Sequence, residues 1–179
     1  PGAGCDLAST LDRELTMLTK EDVAKMPRVE RLDRLGRAGH ALDAAVGDRP
    51  EAVLCRRPDE KNWAPTEIVC HLRDTEEFFM LRFQTLAAAH DPPLAPADPE
   101  RWAEDRQYIR NDAGDAARAF RRRREESLAH LRGLSDVQWL RAGLHPTYGR
   151  MTVEDVVNLM VWHDANHLDQ LDRALRGEA

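Results

Sequence analysis

The chain of 179 residues contains little cysteine: Cys5, Cys55 and Cys70, with no C-x-x-C pair among them. So few thiols exclude a disulfide framework and lead us to expect a reducing, cytoplasmic setting. Positive charge is also short. The 26 Lys and Arg residues against 32 Asp and Glu leave a net −6. That balance argues against a nucleic-acid binder, because phosphate contacts need a positive surface. No apolar run approaches the roughly 18 residues of a membrane span. No charged-then-apolar leader opens at Pro1-Gly2-Ala3-Gly4, so the expected protein is soluble, with no membrane partner. Period-two alternation, internal repeats and low-complexity tracts are missing as well. What remains is a single domain, long enough to bury roughly 70% of its unfolded surface without cross-links.

Helical periodicity is abundant. Leu11, Leu15 and Leu18 after Thr10, a candidate N-cap, mark a short amphipathic stretch within an N-terminal extension over 1–26. The domain proper is expected over 27–179. Val29, Leu32, Leu35, Leu42 and Val46 follow Pro27 at helical steps and stop at Gly47-Asp48-Arg49-Pro50. A second helix starts at Pro65, with Glu67 in its first turn and a stripe of Ile68, Leu72, Thr75, Phe79, Phe83 and Leu86. The prolines of 91–99 forbid a continuous helix and read as a crossover loop. Ala117, Phe120, Leu128, Leu131 and Leu134 form a third stripe that ends near Gly133. Ser135 then caps a short turn leading to Trp139. The fourth helix follows Thr152, with Asp155 placed for a capping box, and runs to Gly177. Four long helices, each apolar on one stripe, bury those stripes against one another, so the fold class is all-α and the architecture a four-helix bundle.

The fourth stripe is interrupted by chemistry. His163 and His167 lie four apart, one turn apart on one face, within the seam Val153, Val156, Met160, Leu171, Ala174. His71 lies on or beside the apolar face of the second helix. Core histidines, each hydrogen-bonded to a neighbour, are the plain structural alternative. An antiparallel or crossed pairing of the two helices could bring all three imidazoles to one level, a register that the sequence alone does not fix. Three inward imidazoles suit a divalent ion with open positions for water, the pattern of catalytic zinc.

Trp63-Ala64-Pro65-Thr66-Glu67-Ile68-Val69-Cys70-His71-Leu72-Arg73-Asp74-Thr75-Glu76 resembles the motif that opens the second helix of the DinB/YfiT-like superfamily. Trp162-His163-Asp164-Ala165-Asn166-His167-Leu168-Asp169-Gln170-Leu171 is similar to that superfamily's closing motif. Trp139 and Tyr148-Gly149-Arg150-Met151-Thr152 fall in the matching order, and the resemblance covers about residues 27–176. It implies a divalent metal, zinc or nickel, held by His71, His163 and His167. It also implies a small-molecule substrate, a homodimer, and activities that include thiol-dependent S-transfer with a low-molecular-weight thiol. Hydrolysis by metal-activated water uses the same site. A non-catalytic metal-binding stress-response module and a purely structural set of histidines are the competing readings.

Several neighbours complete the expectation. Arg124 falls where the third stripe wants an apolar residue; it either snorkels or forms a partly buried pair with Glu76. Asp74 and Asp164 either accept the outward N–H of a liganded imidazole or sit solvated on their helices. His145 and Tyr148, in the loop before the fourth helix, are placed to overhang the site. His40, His90 and His130 read as surface or packing residues, and Cys70 as a small core residue.

Overall fold

A computed structural model describes residues 18–179; the expected stretch from Thr10 to Leu15 lies outside them. Helix α1 (Lys20–Lys25) carries a capping box in which Thr19 and Asp22 exchange hydrogen bonds. It packs on the last helix of the chain and buries Val23 completely. The described part of the N-terminal extension is therefore joined to the bundle core.

Four long helices follow: α2 (Arg28–Val46), α4 (Pro65–Ala88), α6 (Ala113–Arg132) and α8 (Val153–Arg176). The short helices α3 (Glu51–Leu54), α5 (Pro99–Asp105) and α7 (Asp136–Trp139) lie in the connections, with a 3-10 turn at Tyr108–Arg110. Local chemistry fixes the ends. Gly47 closes α2 at φ 40, a left-handed conformation that costs glycine least. Pro65 opens α4, and the Glu67 carboxylate accepts the Ala64 N–H at 2.9 Å. Thr152 and Asp155 form a complete capping box on α8, which ends on left-handed Gly177.

The helices contact in the ring α2–α6–α4–α8, so consecutive pairs α2/α4 and α6/α8 lie across diagonals. Arg31 reaches Glu154 and Asn158, which sets α2 parallel to α8. Arg123 and Arg124 meet Arg73, Glu76 and Glu77, and Asn111, just before α6, meets Arg73. Helices α4 and α6 are thus parallel neighbours, and residues 89–112 must return the full length of the bundle. The Pro-rich crossover performs that return. The order of directions is up, down, down, up.

The sequence predicts no strand, yet β1 (Ala142–His145) and β2 (Gly149–Thr152) form an antiparallel hairpin between α7 and α8. Four-residue strands are too short to show an alternation. Their hydrogen bonds continue onto the crossover, where Leu94 N–H donates to Leu144 O at 2.9 Å and Leu144 N–H to Pro92 O at 2.8 Å. Gly143 permits this approach, because a Cβ there meets Pro92 O at 2.6 Å.

Two apolar clusters fill the bundle. One holds Leu35, Phe79, Phe83, Leu131, Trp139 and Met160; the other Leu42, Ile68, Leu72, Tyr108, Phe120 and Leu171. Along α4, α6 and α8 a band of polar residues separates them: His71, Thr75 and Glu76, then Arg124, then His163, Asp164 and His167. Burying such groups is tolerable only with partners.

Candidate metal centre

Antiparallel packing of α4 on α8 brings the three histidines together. His71 Nε2 lies 2.9 Å from His163 Nε2 and 3.1 Å from His167 Nε2. The ligand atoms of all three fall within 4.8 Å of one another. His71 is buried; His163 and His167 are half-buried, which gives the group one side open to solvent. Trp63 walls His71 at 5.1 Å and the edge of Phe79 meets His163 at 5.9 Å.

The outward nitrogens decide what the inward ones offer. His167 Nδ1–H donates to Gln170 Oε1 at 2.7 Å, and His71 Nδ1 lies 3.4 Å from Thr75 Oγ1. A proton on Nδ1 leaves the Nε2 lone pair free, so the Gln170 oxygen selects the ligating tautomer of His167, while the Thr75 hydroxyl, a donor or an acceptor, is compatible with the same tautomer of His71. Burial, reinforced by the neighbouring imidazoles, pushes His71 down to about 2 and His167 down to about 4. Both rings are therefore neutral near pH 7. Converging lone pairs repel one another but suit a shared cation. Nitrogens about 2.1 Å from one ion at the tetrahedral angle stand about 3.4 Å apart, and the two separations from His71, 2.9 and 3.1 Å, lie a few tenths of an ångström below that.

Beneath the imidazoles lies a charged cluster. Arg124 donates from Nε and Nη2 to Glu76 Oε2 at 2.9 and 2.6 Å, and from Nη1 to Asp164 Oδ2 at 2.6 Å and Leu35 O at 2.8 Å. Its side chain is only 2% exposed, so it pairs with Glu76 and does not snorkel. Burial opposes ionisation of both Arg124 and Asp164; each prevails through its opposite charge, with the Arg124 pKa raised and that of Asp164 lowered. Among the described residues Arg124 faces two carboxylates, and Glu76 Oε1 is buried without a hydrogen bond. The Asp164 carboxylate, 3.7 Å from His163 Nδ1, puts negative charge beside the imidazoles, the sign that favours a cation among them.

The solvated alternative for Asp74 and Asp164 is overturned, since both are 4% exposed. Asp164 serves Arg124 and stays 3.7 Å from His163 Nδ1, beyond hydrogen-bond length. That nitrogen is buried and unpartnered. Asp74 points away from the histidines, accepting from Arg73 at 2.7 Å and meeting Arg106 at 2.8 Å. Burial raises its pKa, and these arginines more than reverse the effect. Neither aspartate holds an imidazole N–H. His145 also has other partners, Arg82 on Nε2 and the Thr147 and Tyr148 amides on Nδ1. Tyr148 packs on His145 in a tilted contact at 4.8 Å and lies under the Lys20 ammonium. Cys70 is a core residue whose thiol burial pushes up to about 12. His40 and His90 are exposed, and His130 stacks on Phe83. Thr75 and Gln170 gained no role from the sequence. Gln170 lies three residues after His167, on the same helical face, which is the signal that finds it.

Residues 34–171 match the sequence profile of the DinB superfamily. The chain belongs to the DinB superfamily. One relative is the Bacillus subtilis (strain 168) protein named "Putative metal-dependent hydrolase YfiT", 24% identical over 158 residues, 88% of this chain and 89% of the relative. A solved structure of Bacillus subtilis YfiT superposes with a TM-score of 0.78 at 23% identity, covering 92% of this chain and 93% of that one. It is described as having "an unusual four-helix bundle topology". That likeness shows that this member of the superfamily shares the bundle fold.

Proposed function

We propose that His71, His163 and His167 hold a divalent cation, zinc or nickel, and that the chain is a metal-dependent hydrolase of a small molecule. The observation that carries this is the convergence of the three Nε2 atoms, with Gln170 and Thr75 beside the outward nitrogens of two of the rings. A divalent ion held there supplies a Lewis acid at which water or a thiol ionises near neutral pH. The protein's own part is orientation and polarity. Gln170 locks His167 in the ligating tautomer, and Thr75 steadies the His71 ring from its outward nitrogen. Glu76 and Asp164, restrained by Arg124, provide charge of the sign that retains a dication. Trp63 and Phe79 flank the imidazoles with apolar walls, which strengthens electrostatic effects inside. The half-buried His163 and His167 mark the side from which a substrate enters.

Hydrolysis is favoured over S-transfer because the relative's name is that of a hydrolase. The test loads purified protein with zinc or nickel. It then screens ester, amide and lactone substrates, with and without glutathione, mycothiol or bacillithiol. Thiol-independent turnover that disappears on chelation and returns with the ion is the expected result. Turnover only when a thiol and an electrophile are both present reassigns the chain to S-transfer. Turnover that survives both chelation and His71→Ala removes the histidines from the chemistry.

A further inference from the structure

At the hairpin end of the bundle another buried cation, Arg82, has no carboxylate partner among the described residues. Arg82 lies on the α4 face of His71, Thr75 and Phe79, about three turns on from His71, and is 6% exposed. Among the described residues its hydrogen bonds go to two neutral acceptors, Ala95 O and His145 Nε2, each 3.1 Å from Nη2. Its Nε is buried with no partner. The guanidinium also lies 4.5 Å over the Phe78 ring. Burial disfavours its charge, and no carboxylate offsets that; the opposing influence comes from the Tyr148 phenol. A buried charge without a paired ion is costly, and native structures seldom keep one without a use.

His145 sharpens the point. Three donors face this ring: Arg82 Nη2 at Nε2, and the Thr147 and Tyr148 N–H groups at Nδ1, 3.1 and 3.3 Å away. Burial and the Arg82 charge hold its pKa below the ordinary value, so the ring is neutral near pH 7. A neutral imidazole has one acceptor nitrogen and one N–H. Whichever nitrogen carries the proton, a donor faces a donor on that side. An oxyanion, with lone pairs in every direction, satisfies all three donors as one imidazole cannot.

We propose that Arg82 and the Thr147 and Tyr148 amides form an oxyanion subsite in which His145 stands in for the ligand. The small molecule processed at the three histidines then carries a carboxylate or phosphate group. The second statement rests on the metal-centre assignment; the first does not. Phe79 joins the two places, its ring 5.9 Å from the Arg82 guanidinium and 5.9 Å from the His163 ring. The imidazole of His71 lies about three helical turns from Arg82 along α4, the span a substrate anchored at Arg82 has to cover.

The test is a titration of the zinc-loaded, isotope-labelled protein with inorganic phosphate, and separately with acetate, followed by amide and imidazole NMR. Saturable shifts of the Thr147 and Tyr148 amides and the His145 ring are expected, and the anion that moves them at lower concentration assigns the class. Arg82→Met should weaken that binding about tenfold or more, the usual scale for a charged hydrogen bond, while Arg82→Lys restores part of it. Absence of these shifts with both anions overturns the subsite, as do equal affinities in wild type and a folded Arg82→Met. The wild-type titration decides even if that variant fails to fold. Repeating it on chelator-treated protein separates the two assignments. Shifts that persist after chelation support the subsite independently of the metal, whereas protein that retains no ion after zinc loading removes the metal centre and leaves the subsite to the titration.

Discussion

Replacing Arg124 with methionine tests the charged band between the two apolar clusters. Methionine approximates the length of the side chain but removes four hydrogen bonds, three to carboxylates and one to Leu35 O. The Glu76 and Asp164 side chains, 0% and 6% exposed, are left as adjacent buried anions. Stranding a partner of a buried ion pair costs about 3–5 kcal/mol, a large share of the roughly 5–15 kcal/mol that holds a domain folded. At about 2–4 °C per kcal/mol for a domain of this length, the metal-free variant should melt about 6–20 °C lower. Differential scanning calorimetry of chelator-treated protein measures this directly. The control replaces Arg124, Glu76 and Asp164 together by apolar residues, which should recover most of the loss because no charge is stranded. A loss below about 1 kcal/mol in the single variant refutes the reasoning. So does a triple variant no more stable than the single.

Three further outcomes follow from particular contacts. Gln170→Leu and Thr75→Val release the outward nitrogens of His167 and His71, and each should weaken zinc binding about 10- to 100-fold in competition with a chromogenic chelator. Asp74 has a folded pKa below its unfolded value of about 3.9, so its contribution is present above that value and lost as pH falls through the folded one. Asp74→Asn should therefore cost about 1–3 kcal/mol near pH 7, with the gap to wild type closing below about pH 4 in denaturant titrations. Gly143→Ala pushes a methyl group toward Pro92 O and should cost about 1–3 kcal/mol in the same assay.

The long helices were legible because their apolar stripes repeat over five or more turns and their ends carry strong local signals, such as Pro65 and the Thr152–Asp155 box. His163 and His167 were legible because they interrupt such a stripe, and His71, on or beside another, was joined to them by the resemblance of its motif. The ring order was not: nothing local says that α2 and α4 occupy opposite corners. The hairpin was missed because its partner strand and its bonds to Pro92 and Leu94 are tertiary. The surroundings of Asp74 and Asp164 failed for a related reason. Helical spacing gives a side chain's direction, but what waits there is decided by Arg106 and Arg124, far away in sequence. Arg82 and His145 were unreadable as a pair for the same reason, 63 residues apart and joined only by the fold.

The central claim is that three imidazoles at one level of the bundle hold one dication. Isothermal titration of chelator-treated protein with zinc and nickel, checked by elemental analysis after gel filtration, tests it most directly. One ion per chain, lost in His71→Ala, His163→Ala and His167→Ala while each variant keeps its helical circular dichroism, is the predicted result. Wild-type protein that retains no ion, or binding unchanged in the three variants, contradicts it.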